Sequence, residues 1–465
     1  MIRSTLAIAG LALRAAVRSR LVLCLVAVLG AGLVAIPLTI RGDGTLDGTV
    51  RVTLVYSLGF TGAVLALATL WAACRLIAEE IEHRQIRQLV VKPVHRFQIW
   101  LGKWLGLLAM NALLLGAVGA IVYGAVHWHM ARAAVPEAEK QALRETALAG
   151  RRSILPRGEL TDAEVHQALE DLIGRGAIPA DAPHGEAFHR VRAAMLRSRA
   201  TVRPGESARW EFDMPRGWER PFERSVATAL SIKFHLSQYS LDRRRLTGEW
   251  FVGTEAEPRL HRVAIRGHLE RSHRIEVPLD PETIAQERVV VTFVNAAAEV
   301  SNPAVFQLEN NVELLVRESG FGSNLVRGLI ILYCKIALLA ALGLCASALF
   351  SFPVASFSAV ALLLAALLVH YLSVSGPAGC GHDHGHGHEE ESLLHRAGER
   401  IGAVLAVGVE PVASIRVLEP LSRGRWIDWK TTGRALALLL LLYPAVLGLV
   451  ASRVLNRREL GLPGD

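Results

Sequence analysis

Residues 75–106 read RLIAEEIEHRQIRQLVVKPVHRFQIWLGKWLG, a dense run of charge held between two long apolar stretches. Of the 465 residues 51% are hydrophobic, and the excess is gathered into runs rather than spread along the chain. Six of these runs, 21–40, 55–78, 99–126, 325–350, 354–371 and 435–451, lie near or above the roughly 18–20 residues that cross a bilayer. Most lack the polar residue at every third or fourth position that a half-buried helix shows. The pattern predicts an α-helical polytopic membrane protein with six transmembrane helices. The first run begins twenty residues in, is too long for a signal h-region and has no small-x-small site after it, so it is read as an uncleaved span.

Lys and Arg near the span ends set the expected orientation. Arg3, Arg14, Arg18 and Arg20 precede the first span. Arg75, Arg84, Arg87, Lys92, Arg96 and Lys103 lie between the second and third, and Arg453, Arg457 and Arg458 follow the sixth. The loop after span one balances Arg41 and Arg51 with Asp43 and Asp47. Both termini are therefore expected in the cytoplasm of a multi-pass plasma (inner) membrane protein. The sequence divides into 1–126 (three spans, with the charged segment 75–103), a 127–324 insertion, spans four and five over 325–371, a 372–434 loop, and the sixth span with its tail over 435–465. The insertion and the loop fall outside the cytoplasm. The net charge of +8 gathers beside the spans, where membrane lipid headgroups attract it, so no nucleic-acid partner is needed. Cys24, Cys74, Cys334 and Cys345 fall in or beside spans, which gives no disulfide framework.

The insertion changes period part-way. Residues 136–200 read as helical, and TDAEVHQALEDLIGRG (161–176) carries a capping box from Thr161 and Glu164. From 208 to 318 seven short segments alternate with period two: ARWEFDM, ALSIKFHL, GEWFVGT, HRVAIRGHL, HRIEVPL, VVVTFVN and VELLVRE. These predict an inserted extracytoplasmic α+β domain containing an antiparallel β-sandwich, jelly-roll-like or immunoglobulin-like. Such a domain takes a glycan or protein ligand, for which Trp210, Trp218 and Trp250 would offer stacking faces. Period-two placement instead turns aromatic residues inward as core. The insertion shows no triad, nucleophile elbow or paired-carboxylate pattern, so the chain is read as something other than an enzyme.

In the opening segment, Glu79, Glu80 and Glu82 precede Arg84 and Arg87, an order suited to the dipole of a short helix that Pro93 would end. Trp100 and Trp104 follow at interfacial depth. A charged helix-turn held against the membrane by two spans suits docking of a soluble partner. A charged loop obeying the positive-inside rule accounts for the same composition. The order Glu, basic residue, Leu-x-x-Lys-Pro-Val-x-Arg, then Leu-Gly-Lys before an apolar run resembles the ABC-2 type transport permeases, and so do the basic LALRAAVRSR near the start and the Arg-Arg-Glu-Leu after the sixth span. The resemblance covers 1–127 and 325–465. It implies that this segment is a coupling helix docking on an ATP-binding cassette ATPase subunit. Carried onto this chain, the coupling positions are Glu79, Glu82, Leu89, Pro93, Arg96, Gly102 and Lys103, beside the charged Glu80, Arg84 and Arg87. Gln85 and Ile86 stand where the family often has Gly-Thr, and the outer insertion is larger than a minimal permease needs.

No G-x-x-x-x-G-K-[ST] loop occurs in the chain, so ATP and Mg would belong to the partner subunit, and this chain is expected to carry no cofactor of its own for that step. Six spans make half a usual exporter, which implies a second permease chain, identical or not. The resemblance thus implies the permease subunit of an ABC-type exporter. A non-transporting ABC-like machine that passes motion to the outer domain, for envelope remodelling or motility, is the alternative. A third reading rests on CGHDHGHGHEEE (380–391), where Cys380, His382, His384, His386 and His388 alternate with small or acidic residues. Thiolate and imidazole ligate Zn, Cu and Ni, so the tract either handles metal or is a solvated linker. Lys335 lies about ten residues into the fourth run, roughly 15 Å deep. An intramembrane cation there marks a polar site unless it snorkels to the surface.

Overall fold

The computed structural model describes residues 2–18, 20–40, 45–82, 95–157, 160–179, 184–214, 228–236, 245–253, 258–266, 273–279, 288–295, 303–306, 312–375, 415 and 417–457. The chain is mostly helical and divides into two compact units, one of Met1–Leu143 with Gly320–Asp465 and one of Arg144–Ser319.

The first unit is a helix bundle. It begins with α1 (Ile2–Arg18) and α2 (Arg20–Thr39), followed by α3 (Leu46–Glu82) and α4 (Arg96–Arg132). After the insertion come α8 (Phe321–Leu349), α9 (Phe352–Ser375), a short α10 (Leu418–Ser422) and α11 (Trp429–Arg457). Among the described residues α3, α4, α8 and α11 are long and apolar enough to cross a membrane, and α2 and α9 carry shorter apolar stretches. Small residues let the helices approach closely, the usual device where no water drives them together. A Cβ added at Gly343 of α8 would lie 2.7 Å from the Ala73 Cβ and 2.8 Å from the Leu70 carbonyl oxygen of α3. One apolar cluster joins α3, α4, α8 and α11 through Ile77, Trp100, Leu107, Leu344 and Leu455. Within it the Thr69 hydroxyl donates to Asn111 Oδ1 at 2.9 Å, and Asn111 Nδ2 donates to the Leu107 carbonyl at 3.0 Å. Leu436–Leu442 of α11 winds as a π-helix directly before Pro444. Proline has no N–H for the carbonyl four residues back, and the relaxed register, in which the Tyr443 N–H reaches Leu438, absorbs that defect.

The second unit holds α5's end (Glu137–Glu145), β1 (Ala149–Ile154), α6 (Asp162–Gly174), α7 (His184–Ala200), and then β2 (Thr201–Val202), β3 (Ser207–Asp213), β4 (Thr228–Leu236) and β5 (Arg245–Gly253). The remaining strands are β6 (Pro258–Arg266), β7 (His273–Leu279), β8 (Arg288–Asn295), β9 (Ala304–Val305) and β10 (Val312–Gly320). One sheet runs β1-β10-β4-β9-β2 with β7 also on β4, and the other runs β3-β8-β5-β6. The registered pairs are antiparallel, as for Trp210 opposite Val291 and Trp250 opposite Phe293. β8 alternates buried and half-exposed residues along its length, so one face of it feeds the core. Both sheets contribute to a single buried cluster in which Trp250 lies 4.5 Å from Phe293 and Trp210 meets Phe306 edge-on at 5.3 Å.

Two expectations are corrected. Residues 136–200 are not helical throughout, because β1 interrupts them and hydrogen-bonds beside β10. Its sequence, AGRRSI, hides a buried arginine, Arg151, where an alternating pattern would show an apolar residue. Glu79, Glu80 and Glu82 do not open a separate helix. They lie in the last described turn of α3, where Glu79 and Glu80 meet neighbouring cations.

Candidate functional site at the charged end of the bundle

The cation that meets Glu80 comes from α4. Lys103 is only 2% exposed, its ammonium donates to the Leu76 carbonyl oxygen at 2.9 Å, and it forms an ion pair with Glu80. Arg75 holds Glu79 one turn along α3. The ends of the two long helices are thereby tied together at the base of the charged segment.

Gly102, next to Lys103, faces a different neighbour. A Cβ there would meet Ile8 at 2.8 Å and the Thr5 carbonyl oxygen at 3.0 Å, and one at Gly106 would meet the Ala12 Cβ at 2.7 Å. Gly102 and Gly106 form a small-xxx-small groove in which α1 lies. Trp100 and Trp104 stack at 5.9 Å, Trp104 Nε1 donates to the Ala337 carbonyl at 3.0 Å, and Gly448 of α11 accommodates the Trp100 ring. Arg96, at the start of α4, turns a buried Nη1 that has no hydrogen-bond partner toward this end. The sequence singled out Gly102 but not Gly106 or the tryptophan contacts. The four-residue glycine spacing was the signal that could have found them.

Of the residues singled out in the sequence, the structure brings together Glu79, Glu80, Gly102 and Lys103, with Arg96 starting α4 and Glu82 exposed at the tip of α3. Arg84, Arg87, Leu89 and Pro93 lie outside the described residues, as do Cys380, His382, His384, His386 and His388. Lys335 is not part of this group. It is half-buried at the midpoint of the 29-residue α8, about 21 Å from either end, farther than a lysine side chain reaches. Among the described residues no group of three or more His, Cys, Asp or Glu side chains could hold a metal ion.

In the second unit Trp210 and Trp250 sit in the core, while Trp218 lies outside the described residues. A cleft of about 980 Å³ there is lined by Arg157, Arg192, Arg199, Arg209, Glu206 and the edge of Trp210. Compared with known proteins, the chain matches no family model, no curated protein and no solved structure.

Proposed function

We propose that this chain is the membrane subunit of a two-part, ATP-driven exporter, its charged end being where a separate ATPase docks. The observation that carries the reading is the Lys103–Glu80 lock. It ties α3, three residues before the segment 83–94, to α4, nine residues after it, so that force applied to that segment passes into two helices long enough to cross a membrane. A charged loop with no partner has no need of a buried ion pair at its base. In this reading α2 and α9 complete six spans, the basic end faces the cytoplasm, and ATP with Mg is held by the partner. A second copy or a related chain completes the pathway. Residues 144–319 act outside the cell membrane as a β-sandwich with flanking helices. Their cleft, lined by four arginines each paired with a carboxylate (Asp213, Asp162, Glu164 and Glu211), is suited to a polar extracytoplasmic ligand.

The compact second unit also favours one other reading, in which ATP-driven motion is passed outward to that unit and no cargo crosses. The first experiment separates docking from both. The full chain is purified in mild detergent from its own host, with and without Arg84/Arg87/Arg96→Glu, and nucleotide hydrolysis by what is crosslinked to it is measured. Hydrolysis present with the native chain and lost in the variant supports a coupling segment. No hydrolysis from the crosslinked native complex overturns it.

A further inference from the structure

At the opposite end of the bundle, Arg327 occupies the second turn of α8 and is 8% exposed. Its Nη1 donates to the Ile427 carbonyl at 3.2 Å, and its guanidinium lies 4.9 Å from the Trp429 ring and 5.8 Å from the Trp426 ring. Its Nε is buried without a hydrogen-bond partner, and among the described residues no carboxylate pairs with it. Glu419 is held by Arg423 at 2.9 Å, and Asp428 caps α11, with the Thr432 N–H and hydroxyl bonded to its carbonyl.

The strap that cages Arg327 is firmly seated. Asn324 Nδ2 donates to the Arg425 carbonyl at 2.8 Å, and the Ile427 N–H donates to Asn324 Oδ1 at 2.8 Å. Val417, Leu421 and Ile427 pack on Gly328, where a Cβ would approach Val417 to 3.2 Å. Trp429 is 58% exposed beside the cage, and Lys430 and Arg434 are exposed on the first turns of α11. A cation taken out of water in a fixed cage, with donors unused, calls for an anion.

The 29-residue α8 is about 43 Å long against about 30 Å of hydrocarbon, so a residue six positions in, about 9 Å along, falls near the headgroup boundary. A tryptophan at that level is normal, but a buried arginine between two of them, with no carboxylate paired to it among the described residues, is not. The planar guanidinium with its unused Nε–H fits a phosphate oxygen. We propose that Arg327, with Trp426 and Trp429, binds the phosphate of an anionic headgroup. The site is separate from the charged end and does not depend on a transport role.

The test uses the full chain in neutral detergent, titrated with phosphatidylglycerol or phosphatidylcholine and followed by native mass spectrometry. It is repeated with Arg327→Gln, whose amide can still donate to the Ile427 carbonyl. Phosphatidylglycerol should be retained in preference to phosphatidylcholine, and its affinity should fall about tenfold or more in the variant. Inorganic phosphate alone is the second arm. Displacement of the lipid by millimolar phosphate would assign the site to free phosphate, and persistence of the lipid would assign it to the membrane. Equal retention of the two lipids by the native chain overturns the proposal, as does equal retention of phosphatidylglycerol by native and variant. Should Arg327→Gln not fold, Trp429→Leu leaves Arg327 in place, and undiminished preference for phosphatidylglycerol in that variant would overturn the cage.

Discussion

Lys103 shows how one side chain can answer two needs. It neutralises Glu80, and it fills a position with almost no access to water. Breaking a fully buried pair from one side strands the other charge at a cost of about 3–5 kcal/mol, and less here because the Glu80 side chain keeps 26% of its exposure, whereas an apolar replacement of both partners is often nearly neutral. Lys103→Met should therefore lower the thermal midpoint of the purified protein sharply, and adding Glu80→Leu should restore most of the loss. A double variant no better than the single one would mean that the Leu76 carbonyl contact, rather than the ion pair, supplies the stability. The sequence pointed to Lys103 through a family resemblance and gave it a docking role. Its burial could not be read from a charged run, because its partner is 23 positions away in sequence on another helix. For Lys335 the apolar run starts at 325, whereas the helix starts at Phe321, which puts Lys335 at its midpoint. That depth is in keeping with the sequence reading once the helix's overhang beyond about 30 Å of hydrocarbon is allowed for.

At the scale of elements, α6 carries the most complete local signal. Thr161 and Glu164 form the capping box that their spacing predicts, and Arg199 of α7 reaches Glu164 at 3.2 Å. The Thr161 backbone N–H, and then the Arg199 side chain, hold the Glu164 carboxyl below its ordinary range. A carboxyl whose folded-state value is depressed stabilises the fold above its ordinary range, and that contribution fades as pH falls through the folded-state value. Protection against amide exchange across Asp162–Gly174, taken relative to the intrinsic rate at each pH, should therefore fall on acidification from pH 6 to pH 3. In Glu164→Gln this loss of protection should largely vanish. An identical acid response in the two proteins would remove the capping box as its cause. Strand positions were legible on similar grounds, since all seven alternating segments lie on strands, from β3 to β10. β2 and β9 were not, because two residues cannot display a period. α3 and α4 each run to 37 residues, well past their apolar runs, because helix continues through polar flanks wherever neighbouring charges compensate them.

On the scale of the whole chain, the second unit has a core of its own that draws on both sheets. Residues 144–319 made alone should give a soluble protein with a cooperative thermal transition and a near-ultraviolet dichroism signal from the clustered Trp210, Trp250, Phe293 and Phe306. A fragment that bound hydrophobic dyes and melted without a transition would show that its core needs the bundle to form. Composition shift and change of period announced such an insertion in the sequence. The pairing of its first strand with its last did not show there, since long-range partners leave no local trace.

That pairing has a genealogical consequence. Because β1 and β10 are hydrogen-bonded neighbours, the first and last described strands of the second unit close on each other. A segment bounded in this way behaves as a parenthesis. It can be gained, lost or exchanged whole, with a short turn in its place, while the helices on either side keep their sequence and their order. What the second unit presents can thus change without any change in the base that Lys103 and Glu80 hold together.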